Sequence, residues 1–180
     1  MDLQKLLATA EEAAAKPKYS LQSVDALEEE IRSVLLKLIE RGGKSSGQLR
    51  KQLLEKEYPV ELIDSLIARF TEVGLVDDFA LAKDLAKMLF ERKGKSKTLI
   101  GMELREKGIA PDAIKEALAE IESEDELELA KEIALLKMAK TSGPDKRTVE
   151  RKVAGFLARK GYPSSVVWSA VRYASEQLSR

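Results

Sequence analysis

The chain has 180 residues, of which 44% are hydrophobic, 5% aromatic and 34% charged, a balance suited to an aliphatic-cored helical protein with much surface. It contains no cysteine and no histidine, which excludes disulfides, thiol catalysis, Cys/His zinc sites and imidazole acid–base chemistry. Its 31 basic and 31 acidic residues cancel, yet residues 122–135 hold six acids against Lys131 while residues 136–180 hold ten bases against three acids, a polarity that favours an anionic partner at one end.

The opening stretch, MDLQKLLATAEEAAAK, carries acids and lacks a basic region ahead of an apolar core, so it does not read as a signal peptide. No apolar run approaches the roughly 20 residues of a membrane span, and a cytoplasmic location without membrane contact is expected. A helix over about 2–15 and a linker at 16–20 are expected to precede the main body. Ile31, Leu35, Leu38 and Ile39 then recur at helical spacing.

From Leu49 onward the chain repeats itself. Leu49–Phe70, Ile100–Ile121 and Val153–Ala174 align on Tyr58, Ile109 and Tyr162, which brings Leu53, Leu104 and Leu157 into one column. Ile63, Ile114 and Val167 form a second column, and Ile67, Leu118 and Val171 a third. Each segment reads as two helices joined by a tight turn. Gly108 and Gly161 suit the left-handed residue that closes the first helix, and Pro59, Pro111 and Pro163 suit the start of the second. Glu57 stands in the glycine column, where a left-handed Glu costs roughly 1 kcal/mol, so a looser turn is expected there. A preceding helix completes each unit, with Leu81, Leu85, Met88 and Leu89 as its stripe in the second and Leu129, Ile133, Leu136 and Met138 in the third. Period-two alternation is absent, so no strand is expected. The fold class is therefore all-α: an elongated array of three tandem three-helix, helix-turn-helix-like repeats plus an N-terminal helix. The expected boundaries are 1–20 for that helix and linker, then 21–76, 77–122 and 123–180 for the repeats, stacked because a unit of ~50 residues buries little core alone.

Several residues invite a functional reading. Arg92, Lys93, Lys95 and Lys97 surround Gly94, which should end one helix, and Ser96, which should cap the next. They are either an anion or filament contact, or bases complementing a helix C-terminus. Lys146, Arg147, Arg151, Lys152, Arg159 and Lys160 form a basic stripe on the third unit, which either meets phosphates or an acidic protein face, or serves solubility. Asp77 reads as a helix cap, and Asp78 as a charge favoured at the same helix's positive end. The acidic run Glu122–Glu132 should begin a helix. Trp168 lies beside the apolar stripe of the last helix and reads as core edge in preference to a partner anchor. Tyr58 and Tyr162 read as core residues. No catalytic residue, metal ligand or cofactor site is expected.

Gly74–Ile109 resembles the RecX family, whose members show a Gly-aromatic/Leu-x-Asp-Asp-x-x-Phe/Ala-Ala run, then an Arg-x-x-Lys-Gly loop, then a Glu-Leu-Arg-x-Lys-Gly-Ile segment. The matching positions are Gly74, Leu75, Asp77, Asp78, Ala82, Arg92, Gly94, Glu103, Leu104, Arg105, Lys107, Gly108 and Ile109. Lys152 to Tyr162 resembles that family's closing unit, and the likeness runs from about residue 30 to 175. It departs at Glu57, and at Arg50 and Lys51, whose counterparts are Gly101 and Met102, then Ala154 and Gly155. The resemblance implies a non-enzymatic regulator that lodges in the RecA–ssDNA filament. There it would restrain strand exchange, ATP hydrolysis and coprotease activity in DNA repair and the SOS response. It also places Arg50, Lys51, Arg105 and Lys107 among the candidate contacts. A monomer is expected, with RecA as partner and a weak direct DNA contact. The competing reading is a helix-turn-helix-like DNA-binding protein that acts without RecA.

Overall fold

The computed structural model describes residues 24–179; the helix expected at 2–15 and its linker lie outside the described residues. The protein is all-α and elongated. Its first unit is α1 (Val24–Glu40), α2 (Ser46–Leu54) and α3 (Val60–Glu72). The second is α4 (Asp78–Lys87), continued by a π-helical turn (Met88–Arg92), then α5 (Lys97–Glu106) and α6 (Pro111–Ala119). The third is α7 (Ser123–Ala139), α8 (Lys146–Arg159) and α9 (Ser164–Gln177).

Each unit closes over its own aliphatic core. Leu27, Ile31, Leu35, Leu49, Leu53 and Ile63 build the first, Ala82, Ala86, Ile100, Leu104, Ile109 and Ile114 the second, and Ala130, Ala134, Val153, Leu157, Val167 and Val171 the third. The repeat columns explain this: Leu53, Leu104 and Leu157 are fully buried in all three, each contributing about 2 kcal/mol. The first helices meet their cores with the expected stripes only in part, alanines taking the deepest positions. Along α4 and its π-helical continuation the deepest apolar positions are Ala82, Ala86 and Leu89, while Leu81, Leu85 and Met88 are half-buried and pack against the same core. In α7 they are Ala130, Ala134 and Met138, while Leu136 is 62% exposed. Small side chains let α7 lie close against Ala170 and Ala174 of α9; Ile133 packs at the edge of that core, while Leu129 and Leu136 lie outside it.

Sequence-local chemistry sets the helix ends. Ser45 and Gln48 form a capping box, the Gln48 N–H donating to Ser45 Oγ (3.1 Å) and the Ser45 N–H to Gln48 Oε1 (3.2 Å). Asp77, Ser96 and Asp145 accept from the N–H groups of Ala80, Leu99 and Thr148. Pro111 opens α6, and Pro59 and Pro163 stand just before α3 and α9. The turn at Glu57 is no looser than the others. Glu57 is left-handed (φ 63°), as are Gly108 (70°) and Gly161 (86°). The Tyr58, Ile109 and Tyr162 N–H groups each donate back to the fifth preceding carbonyl, at 3.4, 3.2 and 3.3 Å.

The units are joined by one device used twice. At the first joint the Ser45 hydroxyl donates to the Lys107 carbonyl, and Gly47 lies directly against Gly108. The N–H and hydroxyl of Ser46 donate to the Asp78 carboxylate at 2.8 and 2.6 Å. At the second joint the Ser96 N–H donates to the Lys160 carbonyl (3.0 Å), and the Lys97 N–H donates to Glu126 Oε1 (2.8 Å). Thus the first helix of each following unit sends a carboxylate to the N-terminus of the preceding unit's second helix, where positive dipole and unpaired N–H groups await it. Asp78 therefore serves a helix in the neighbouring unit, and its partners there lie outside the helix it begins. Ser45, Ser96, Asp78 and Glu126 are all buried.

Candidate functional site

The two apolar faces of α7 define the site. One face, Ala130 to Met138, closes the third core. The other, Leu129, Ile133 and Leu136, forms one wall of an open cleft of about 350 Å³. Phe156 of α8 lines the same cleft, and the Glu91–Gly94 segment, where the π-helical turn ends, lines it from the second unit. Gly94 has φ 59° and approaches Ile133 so closely that a Cβ there would lie 2.6 Å from Ile133 Cδ1. This glycine lets the loop rest on α7.

The rim of the cleft is cationic. Arg92, Lys93, Lys137, Lys140 and Lys160 line it, against Glu91 as the acid. The Lys137 and Lys160 ammonium groups stand 4.9 and 5.4 Å from the Phe156 ring centre, where the ring quadrupole holds them over the apolar floor. Lys160 also donates to the Lys93 carbonyl, bridging second and third units. Burial, and secondarily the charge of Lys95, holds the Lys160 ammonium below its ordinary lysine value. Nearby, Arg151, Lys152 and Arg159 share a groove with Lys137, Thr141 and Gly155. Lys152 donates to the Ser142 carbonyl at 2.9 Å. Among the described residues none of these bases is ion-paired with a carboxylate.

The remaining candidates are placed elsewhere. Arg50 grips Asp64, Nε to Oδ1 at 2.7 Å and Nη2 to Oδ2 at 3.2 Å; that contact raises the guanidinium and depresses the carboxyl from their ordinary values. Lys95 pairs with Glu103. Lys97 is taken up by the second joint, its ammonium donating to the Ile121 carbonyl at 2.6 Å. Lys51, Arg105 and Lys107 are exposed on the first two units, and Arg147 on α8. Lys146 turns to the far side of the third unit, 3.3 Å from Ser179 Oγ. It shares a depression there with Trp168. Trp168 is 49% exposed and lies outside the core, correcting its reading as core edge. Tyr58 and Tyr162 are buried as expected. The Tyr162 hydroxyl donates to the Gly94 carbonyl (3.2 Å), and burial pushes its ionisation well above the ordinary tyrosine range, with Glu126 adding to it. Lys137 and Lys140 were not singled out in the sequence, although their signal is there: two lysines three apart, straddling the helix end beside an apolar residue with no place in the core.

Among the described residues, no group of three or more carboxylates converges to hold a metal ion, and no helix is long and apolar enough to cross a membrane.

Comparison with known proteins agrees with this architecture. Residues 77–118 match the model of the second three-helix domain of RecX, and residues 124–171 that of the third. The chain is 32% identical over 149 residues to the regulatory protein RecX of Streptomyces coelicolor, covering 83% of this chain and 79% of that protein. It is 30% identical over 148 residues to that of Mycolicibacterium smegmatis, covering 80% and 79%. A crystal structure of a regulatory protein RecX superposes with TM-score 0.70 at 25% identity, over 92% of this chain and 75% of that one. RecX from Lactobacillus salivarius shares the fold, with TM-score 0.75 at 15% identity over 84% and 98%.

Proposed function

The chain belongs to the RecX family of regulatory proteins, and from that premise we propose that it binds RecA and the RecA–ssDNA filament. Binding restrains strand exchange, ATP hydrolysis and coprotease activity. Apart from family membership, the observation that carries this reading is the unpaired cationic face of the second joint and third unit. It runs from Arg92 and Lys93 through Lys137, Lys140 and Lys160 to Arg151 and Arg159. An array of stacked units presents extended surface suited to a long polymer. Because its units are tied by buried carboxylate–helix joints, an array spanning neighbouring filament subunits would hold them at a fixed spacing. That opposes the rearrangements that strand exchange requires.

The test is a titration of the full chain into RecA on single-stranded DNA, following ATPase and strand exchange. Both should fall, and the double charge reversal Arg151→Glu/Arg159→Glu, at exposed positions, should shift the titration about tenfold to higher concentration. Unchanged activity across a wide titration would remove RecA as the target. The same cationic face also motivates the second reading, DNA binding without RecA. That reading requires binding tighter than micromolar at physiological salt, falling steeply as salt rises; a fluorescence-anisotropy salt series decides it.

A further inference from the structure

We propose that the cleft between the Glu91–Gly94 loop and α7–α8 is a docking site for an acidic peptide segment of a protein partner, anchored by apolar side chains. This deepens the regulatory reading and rests on it only for the identity of that partner.

Three observations carry the proposal. The first is the second apolar face of α7. Leu129, Ile133 and Leu136 recur at helical spacing, yet the packing of Ala130 and Ala134 on α9 leaves them lining an open cleft, with Leu136 62% exposed. An apolar wall in a concave site with polar groups at its rim is the arrangement by which a groove buries a ligand's apolar side chains. The second is charge: the rim bases have no carboxylate partner among the described residues, and a ligand that brings carboxylates supplies the missing counter-charge. The third separates peptide from nucleic acid. Single-stranded nucleic acid gains much of its affinity by stacking bases on aromatic faces. Here Phe156, the aromatic ring lining the cleft, already carries the Lys137 and Lys160 ammonium groups. A base would have to displace them, and the aliphatic wall offers nothing to a phosphodiester. A leucine or phenylalanine flanked by glutamates satisfies both floor and rim. The volume of about 350 Å³ lies at the small end of the ~300–1,000 Å³ typical of ligand pockets, enough for anchoring side chains.

The experiment is fluorescence anisotropy of the full chain, at physiological salt, with three labelled probes. They are a peptide of alternating glutamate and leucine, the same peptide with serine for leucine, and oligothymidylate. The first should bind, the serine version should bind about tenfold or more weakly, and oligothymidylate should not displace the peptide. Leu136→Asp, and separately Lys137→Glu/Lys140→Glu, should each weaken peptide binding about tenfold. Both sets of positions are exposed, so the circular dichroism spectrum should not change, and Lys51→Glu on the first unit should leave binding intact. Equal binding of the serine peptide, absence of peptide binding, or tight oligothymidylate binding abolished by the same substitutions would each overturn the proposal. Peptide binding by a chain that leaves RecA unaffected would uphold the cleft and remove the RecA reading.

Discussion

Truncating Asp78 to alanine tests the joint between the first two units. Its carboxylate accepts two hydrogen bonds from Ser46, at 2.8 and 2.6 Å, and its side chain is buried. A hydrogen bond to a charged group contributes about 1.5–3 kcal/mol net, and a carboxylate at a partly buried helix N-terminus adds up to ~2 kcal/mol. The contributions overlap, because the same contact produces both, and water re-enters the vacated site. A loss of about 2–3 kcal/mol is therefore expected for Asp78→Ala. Asp77→Ala is the control on the adjacent residue. Asp77 is exposed and caps only its own helix through Ala80 at 2.9 Å, so its loss should cost about 1 kcal/mol. The two should also differ in place. Asp78→Ala loosens the first unit from the second, so hydrogen-exchange protection should fall across 24–76 while the third unit keeps its own, and urea unfolding should broaden or split. Asp78→Asn keeps an acceptor without the charge and should fall between wild type and alanine. If Asp78→Ala costs no more than Asp77→Ala and unfolding stays a single sharp step, the joint does not hold the units together.

Gly47→Ala should destabilise by about 1–3 kcal/mol in thermal unfolding, because its Cβ would meet the Gly108 backbone, including Cα at 2.9 Å. Gly155→Ala, within α8 and 3.6 Å from Arg159 Nη1, should instead gain about 0.5–1 kcal/mol. Gly161→Ala should lose more than Gly74→Ala: both are left-handed, but a Cβ at 74 meets nothing within 4 Å whereas one at 161 lies 2.6 Å from Ser96 Oγ and 2.7 Å from Leu99 Cβ. The Asp145 carboxyl is held below its ordinary range, first by the Thr148 N–H and then by the Thr148 hydroxyl. A depressed folded-state value means its stabilisation is present above the unfolded value, near 3.9, and is lost as pH falls through the folded one. Urea midpoints measured over that acid range should therefore fall less steeply in Asp145→Asn than in wild type.

What the sequence made legible is what repeats locally. The columns through Leu53, Ile63 and their counterparts follow from helical periodicity, and they delivered helix type, turn position and the all-α class. The surface was less legible, because pairing is decided between segments. Arg50, Lys95 and Lys97 look like free cations along the chain, yet Asp64, Glu103, Glu126 and the Ile121 carbonyl occupy them or the backbone beside them. The α7 stripe misled at Leu129 and Leu136 for a related reason. Periodicity marks an apolar face without saying whether leucine or alanine faces the core, and alanine won where close approach to α9 gained more contact than a leucine wedge. The displaced leucines are what the cleft is made from.

The glycine column shows the same limit in one position. Glu57, Gly108 and Gly161 share left-handed φ and the same turn hydrogen bonds, so backbone conformation alone would ask for glycine at all three. It costs a Glu only about 1 kcal/mol, a penalty a folded unit can carry. What separates them is the neighbour. A Cβ at 108 would come to 3.1 Å from Gly47 Cα, and one at 161 would strike Ser96 and Leu99 of the preceding unit, whereas Glu57 is exposed. Glycine is thus required where one unit's turn seats on the unit before it. The joints reveal themselves in sequence as a small residue facing a small residue, Gly108 on Gly47, with a serine and a distant carboxylate completing the seat.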